Sequence, residues 1–228
     1  LPMITFEKVN KKFGEISALD EISFVIDKGE FVFLTGPSGA GKTTIIKLLL
    51  GEYLPTSGEI IVDSEKIHKI SGRKLYLWRR KIGVVFQDYK LFEDRTIWEN
   101  VSLPLEFQGI SFPEIKQKVE GVLEIVGLKE RADLFPAQLA GGELQRVSLA
   151  RAIVIQPDIL LADEPTGNLD PATTKEMFNL LKEINEKGTT ILAATHNKDL
   201  VDCFKARVIE LKNGKLIRDE KEGKYYVK

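Results

Sequence analysis

The stretch GPSGAGKT, residues 36–43, decides the fold of this chain. It matches the pattern G-x-x-x-x-G-K-[ST], follows the apolar run FVFLTG (31–36) and precedes a predicted helix over residues 43–50. This context is typical of a phosphate-binding loop, because glycines let successive backbone N–H groups converge on one anion. The alternative, a chance match in a glycine-rich turn, does not explain the flanking strand and helix. The loop therefore predicts nucleotide binding by Gly36, Pro37, Ser38, Gly39, Ala40, Gly41, Lys42, Thr43 and Thr44.

An acidic pair follows a second buried strand, ILLADE at residues 159–164. We expect Lys42 to reach the β- and γ-phosphates of the nucleotide and Thr43 to bind Mg²⁺. Asp163 would hold the same Mg²⁺, and Glu164 would polarise an attacking water. Two solvated acids at a strand end are the alternative, which the nearby phosphate loop disfavours.

Three further side chains are candidates for the same site. Gln87 follows a predicted strand, where its amide could contact both Mg²⁺ and water, although a surface glutamine would have the same pattern. His196 ends the run TTILAAT (189–195) and could bond the γ-phosphate. Phe13 precedes Ala18 and could stack on adenine beside it, and a core aromatic is an equal alternative.

The remaining strand and helix signals predict an α/β protein. Buried strands are expected at 82–86, 158–163, 189–195 and 207–212, and helical stretches separate most of them, which favours a largely parallel sheet. Short N-terminal strands are expected at 3–8 and 22–27. Residues 88–155 carry helical periodicity and two potential capping boxes, Thr96 with Glu99 and Ser111 with Glu114. We therefore predict one domain over 1–228, with a nucleotide-binding core at 1–87 and 156–228 and an inserted helical lobe at 88–155.

The bulk composition is that of a globular protein without a strong electric field. The chain has 228 residues, of which 33 are Lys or Arg and 34 are Asp or Glu, so the net charge is −1. This balance does not favour nucleic acid as a direct partner. No apolar run reaches the ~20 residues that span a bilayer, and no signal peptide is visible. A membrane role would therefore need a partner.

A second anion-binding feature lies about a hundred residues after the phosphate loop. The segment LAGGELQRVSLARAI (139–153) places two glycines before a predicted helix. The first N–H groups of a helix lack internal partners and carry the positive end of its dipole, so they can bind phosphate. One nucleotide does not need two such sites, which raises the question of whose phosphate the second one binds.

Together these motifs resemble the ABC ATPase family over essentially the whole chain. The resemblance places the family's Q-loop glutamine at Gln87, its acidic strand end at Asp163 and Glu164, and its switch histidine at His196. Its adenine-stacking aromatic falls on Phe13. Its signature falls on Leu139, Ala140, Gly141, Gly142 and Glu143, and its D-loop on Asn168, Leu169 and Asp170. The implied fold is a P-loop NTPase core with an N-terminal antiparallel β part and a helical lobe.

The resemblance also implies partners. In this family the signature of one subunit binds the γ-phosphate held by another, so the chain would form an ATP-dependent homodimer around two ATP and Mg²⁺. DEPTGNLD (163–170) resembles the subgroup of lipoprotein-extracting, macrolide-exporting and cell-division ATPases, and QDYKLFEDRTIWENVSLPL (87–105) is most similar to the FtsE group within it. That implies an FtsX-like integral membrane partner, control of peptidoglycan hydrolases, and a peripheral position on the cytoplasmic face of the inner membrane. The alternative is the ATPase of a lipoprotein-releasing or macrolide exporter.

Two other functional classes fit less well. A DNA-maintenance ATPase of similar core needs long coiled-coil insertions, and no heptad run of that length exists here. A non-hydrolytic ATP clamp would need neither Glu164 nor His196. The basic stretch RKLYLWRR (73–80) is either a solvated helix face or a contact for anionic lipid.

Two expectations concern the surfaces of the proposed complex. The exposed members of Phe92, Trp98 and Phe107 are predicted to anchor the membrane partner, with a core role as the alternative. Ala140 departs from the family's usual serine, whose hydroxyl can bond the γ-phosphate. We therefore expect weak dimerisation of the isolated chain, which Ala140→Ser would strengthen.

Overall fold

The computed structural model describes residues 1–167 and 169–223. The strands are β1 (Pro2–Phe13), β2 (Ile16–Asp27), β3 (Phe31–Thr35), β4 (Ser57–Val62), β5 (Glu65–Lys66), β6 (Ile82–Phe86), β7 (Ile159–Asp163), β8 (Thr190–Ala194), β9 (Arg207–Lys212) and β10 (Lys215–Glu220). The α-helices are α1 (Lys42–Leu49), α2 (Arg73–Arg79), α3 (Ile97–Glu106), α4 (Phe112–Ile125), α5 (Gly141–Ile153), α6 (Pro171–Glu186) and α7 (Lys198–Phe204). Short 3₁₀ helices cover Ile67–Lys69, Lys129–Arg131 and Pro136–Gln138.

The central sheet is mostly parallel, as predicted. Its strand order is β10-β9-β3-β8-β7-β6, and only β10 pairs with its neighbour in antiparallel fashion. Strand β3 has parallel neighbours on both sides, which explains why its sequence is a continuous apolar run rather than an alternating one. The carboxyl ends of β3, β6, β7 and β8 therefore lie at one edge, where parallel α/β sheets bind their ligands.

The N-terminal strands are longer than predicted. Strands β1 and β2 form a hairpin through the turn at Gly14, whose φ is 58°, and replace the short strands expected at 3–8 and 22–27. Strands β4 and β5, which were not predicted, extend this antiparallel sheet in the order β2-β1-β4-β5. Both omissions arise because half-exposed strands carry a mixed pattern that periodicity alone does not separate from loops.

The helices α3, α4 and α5 lie in the segment between β6 and β7, where a helical lobe was predicted. Thr96 and Glu99 form the expected capping box at the start of α3. Ser111 precedes α4, but its side chain accepts no capping hydrogen bond, so the second predicted box is wrong; Pro113 in the first turn provides the helix start instead. The division of the chain into a core and a lobe stays a prediction.

Two hydrophobic clusters fill the two faces of the central sheet. Val32 and Leu34 of β3 point into the cluster shared with α1 and the antiparallel sheet, and Phe33 points into the other. This second cluster also contains Val101 of α3 and Val147 of α5. The helical segment is thus packed directly on the sheet that carries the nucleotide loop. Among the described residues, no helix is long and apolar enough to cross a membrane.

Candidate nucleotide site

The glycine-rich loop connects β3 to α1, as the motif predicted. Gly36, Gly39 and Gly41 have φ angles of 137°, 77° and 109°. A Cβ added at Gly36 would lie 2.2 Å from the carbonyl oxygen of Leu211, and one at Gly41 would lie 2.6 Å from the Leu19 side chain. The loop therefore requires glycine for both its backbone conformation and its close packing.

The predicted nucleotide residues meet around one cavity. Its volume is about 540 Å³, and its lining consists of Ala18, Ser38, Gly39, Ala40, Gly41, Lys42, Thr43, Thr44, Gln87, Glu164 and His196. These residues come from the N-terminal sheet, the glycine loop and the ends of β6, β7 and β8. The topology thus brings together five segments that are far apart in the sequence.

Lys42, Glu164 and His196 form a connected polar chain in this cavity. The buried Lys42 Nζ donates to the carbonyl oxygens of Gly36 (2.8 Å) and Pro37 (3.2 Å) and lies 3.7 Å from Glu164 Oε1. Glu164 Oε2 lies 2.6 Å from His196 Nδ1. Glu164 has a left-handed φ of 50°, a conformation that is unfavourable for residues other than glycine and that clusters at functional sites.

Asp163 lies at the end of β7, next to the first turn of α1. The Thr43 hydroxyl donates to Asp163 Oδ1 over 3.3 Å. Burial raises the pKa of the Asp163 carboxyl, and the hydrogen bond from Thr43 opposes that rise. Among the described residues no group of three or more His, Cys, Asp or Glu could hold a metal. The oxygen donors Thr43 and Asp163 nevertheless fit Mg²⁺, which binds through one or two protein oxygens together with phosphates and water.

Gln87 follows β6, lines the cavity and lies next to Gly167 in the segment after β7. A Cβ added at Gly167 would lie 2.9 Å from Gln87 Nε2, so this glycine permits the contact. The backbone on either side of Gln87 is held by α5. Gln145 Nε2 donates to the Phe86 carbonyl (3.3 Å), and the Arg151 guanidinium donates to the carbonyls of Tyr89 (2.8 Å) and Lys90 (2.6 Å).

The second glycine pair is confirmed as the start of a long helix, and it lies apart from the nucleotide cavity. Ala140 is the N-cap of α5, and its N–H donates to Glu143 Oε2 over 2.9 Å. A Cβ at Gly142 would lie 2.6 Å from Thr173 of α6. None of residues 139–143 lines the cavity described above. The start of α5 thus does not contribute to the cavity of its own chain, and Leu139 packs partly buried against the second hydrophobic cluster.

Phe13 and Asp170, like Gly36, Pro37 and Asp163, are predicted binding residues that do not line the cavity. Phe13 is 42% exposed, and its ring contacts Tyr53 edge-on with 5.1 Å between centroids. Asp170 caps α6 by accepting from the N–H groups of Ala172 (3.0 Å) and Thr173 (3.1 Å). Hydrogen bonds from the Thr173 hydroxyl and N–H lower the pKa of Asp170. Asn168 lies outside the described residues.

Sequence reasoning missed Tyr53, Tyr89 and Arg151. Tyr53 is separated from Phe13 by forty residues, and the pairing of β1 with β4 and the backbone hydrogen bond from Tyr53 to Lys47 of α1 bring the two rings together. Tyr89 lies two residues after Gln87, which was the one available signal. Arg151 sits on the predicted α5, but its bonds to backbone carbonyls leave no trace in a sequence.

Comparisons with known proteins agree with this geometry. The family model described as ABC transporter matches residues 19–167. The cell division ATP-binding protein FtsE of Bacillus subtilis is 49% identical over 98% of both chains, and FtsE of Mycobacterium tuberculosis is 48% identical over 98% of both. The solved structure of the ATP-binding cassette MJ0796, a dimer bound to ADP and Pi, has a TM-score of 0.88 and 38% identity, and the match covers 98% of this chain and 100% of that one. The chain therefore belongs to the ABC transporter ATPase family, in the branch that contains the FtsE proteins.

Proposed function

We propose that the chain is the ATP-binding and ATP-hydrolysing subunit of a membrane complex that acts in bacterial cell division. Its FtsE relatives are named cell division ATP-binding proteins. The observation that carries the ATPase proposal is the single cavity shared by the glycine loop, Glu164, Gln87 and His196. The extent of the similarity to FtsE, 44–49% identity over at least 94% of the chain, supports the narrower role.

In this proposal the residues of the cavity divide the work of hydrolysis. Lys42 turns from the loop carbonyls to the β- and γ-phosphates. Its positive charge is then balanced by the phosphates as well as by Glu164. Glu164 orients the attacking water and accepts its proton, and His196 holds that carboxylate in place through its 2.6 Å contact. Thr43, Asp163 and Gln87 would hold Mg²⁺, which neutralises charge on the phosphates when bound.

The signature segment at the start of α5 serves the nucleotide of a second subunit. Two observations support this dimer: residues 139–143 are absent from the cavity lining, and the related MJ0796 cassette was solved as a dimer at 39% identity. Two chains would pack head to tail, with two ATP molecules between them. The Phe13 ring, still partly exposed beside Tyr53, is available to stack on the adenine.

The membrane partner, an FtsX-like integral protein, docks in a groove between α2, β6 and α3. This groove has a volume of about 350 Å³, and its walls include Tyr76, Arg80, Ile82, Phe107 and Ile155. Of the three aromatics predicted as anchors, Phe107 lines it and is 68% exposed. Trp98 packs against Phe112 instead, with 6.0 Å between centroids, and Phe92 lies outside the lining.

Phe107→Glu is expected to remove copurification of the membrane partner without reducing ATP binding. The carboxylate would place a charge at an apolar anchor of the interface. The local fold should be unaffected, because the Tyr76 hydroxyl donates to the backbone carbonyl of residue 107 (3.0 Å), which the substitution retains. The measurement is affinity capture of the tagged chain from detergent-solubilised membranes, with the captured proteins identified by mass spectrometry.

Phe112→Glu is the matched control, because Phe112 is 67% exposed and does not line the groove. Capture of the same membrane protein by Phe107→Glu and by the parent would place the docking surface elsewhere. Capture of an exporter permease, rather than an FtsX-like protein, would support the alternative of lipoprotein or macrolide export.

A further inference from the structure

The Tyr89 side chain is held beside the start of α5 by an unusual stretch of backbone. Tyr89 and Lys90 are consecutive residues with left-handed φ angles of 58° and 50°. Such conformations persist in residues other than glycine only where other contacts support them. Arg151 provides these contacts through its hydrogen bonds to both carbonyls. The backbone from which the Tyr89 ring projects is therefore held in place by contacts within the fold.

The Tyr89 hydroxyl lies at the first residue of the signature helix. A Cβ added at Gly141 would be 3.2 Å from this oxygen, and within the described part of the chain no other atom outside the local segment comes within 4 Å of that position. Among residues 1–167 and 169–223, the hydroxyl makes no hydrogen bond, although the backbone N–H of Tyr89 donates to Phe86. A phenol O–H, which can donate and accept, thus stands unpaired next to Gly141.

The same helix start lacks a side-chain donor of its own. Residue 140 is alanine, and its N–H is already bonded to Glu143. A phosphate oxygen arriving here would meet the free N–H groups of the first helical turn. A hydroxyl would add a short, charge-assisted hydrogen bond to that set.

We propose that the Tyr89 hydroxyl donates a hydrogen bond to the γ-phosphate bound by the partner subunit, in place of the hydroxyl that residue 140 lacks. This role rests on the proposed ATP-dependent dimer.

The test is a double-mutant cycle on the full chain in a Glu164→Gln background, which retains ATP. The parent, Tyr89→Phe, Ala140→Ser and the double variant are compared by analytical ultracentrifugation with ATP and Mg²⁺. Tyr89→Phe is expected to weaken dimerisation at least tenfold, because each dimer loses two hydrogen bonds to charged groups. Ala140→Ser is expected to restore dimerisation in the Tyr89→Phe variant and to add less in the parent, where a hydroxyl is already present.

ATP binding to the monomer is the internal control, since Tyr89 does not line the nucleotide cavity. Thermal unfolding of each variant checks that the ring substitution leaves the fold intact. Two results would overturn the role of Tyr89 without affecting the proposed dimer. One is equal dimerisation of Tyr89→Phe and the parent, and the other is an equal gain from Ala140→Ser in both backgrounds. Absence of any ATP-dependent dimer in the Glu164→Gln parent would overturn the shared-site proposal itself, together with this role.

Discussion

Lys42→Ala is expected to reduce ATP turnover by at least ~10²-fold and to weaken ATP binding. The ammonium would contact both the β- and γ-phosphates, and each hydrogen bond to a charged group contributes roughly 1.5–3 kcal/mol. Lys42 also donates to the carbonyls of Gly36 and Pro37, so alanine removes these hydrogen bonds within the loop as well. Phosphate release measures turnover, and a fluorescent nucleotide measures binding.

Lys116→Ala is a suitable control, because Lys116 is an exposed lysine of α4 whose Glu120 ion pair is 3.9 Å long and solvent-screened. This control should turn over ATP at the parental rate. Parental turnover in Lys42→Ala would remove the assignment of residues 36–43 as the phosphate site.

Glu164→Gln is expected to bind ATP, to hydrolyse it at least ~10²-fold more slowly, and to accumulate as a dimer. General base catalysis typically contributes 10²–10⁴-fold, and an amide cannot accept the proton of the attacking water. The amide keeps the shape that sits between Lys42 and His196. Loss of the negative charge also lessens repulsion of the phosphates. Light scattering with ATP and Mg²⁺ detects the dimer, and single-turnover phosphate release measures the rate.

Glu186→Gln controls for loss of a carboxylate, because Glu186 is an exposed residue at the end of α6 and does not line the cavity. It should hydrolyse ATP as the parent does and form no long-lived dimer. A Glu164→Gln protein that stays monomeric under saturating ATP would contradict the two-subunit site, whereas rapid hydrolysis would assign the base elsewhere.

The parts of the site that depend on local chain conformation were predictable from the sequence. A phosphate loop needs glycine at particular positions of its motif, so the sequence of residues 36–43 predicts both the turn and the binding of phosphate. Gln87 and His196 line the cavity and Asp163 ends β7, because parallel strands end at one edge of a sheet; their roles in ATP hydrolysis stay predictions. For these three residues, the signal in the sequence was a polar side chain at or just after the end of a predicted buried strand.

Contacts between distant segments were not predictable in the same way. Glu164 and His196 were expected to act separately on water and on phosphate, and only the pairing of β7 with β8 sets them 2.6 Å apart. The contact of Tyr89 with Gly141 depends on two left-handed residues and a distant guanidinium. Such contacts follow from the register and packing of elements, which residue spacing does not encode.

The hydrogen bonds from Arg151 to the backbone of Tyr89 and Lys90 determine which substitutions this segment tolerates. Arg151 binds the carbonyl oxygens of residues 89 and 90, which every amino acid possesses, rather than their side chains. Substitution at residue 89 therefore leaves these hydrogen bonds intact, while substitution at residue 151 removes them. Residues that tolerate the left-handed φ of 58° can therefore replace one another beside the signature helix while these hydrogen bonds stay in place, and in the proposed dimer such replacements would change the strength of dimerisation.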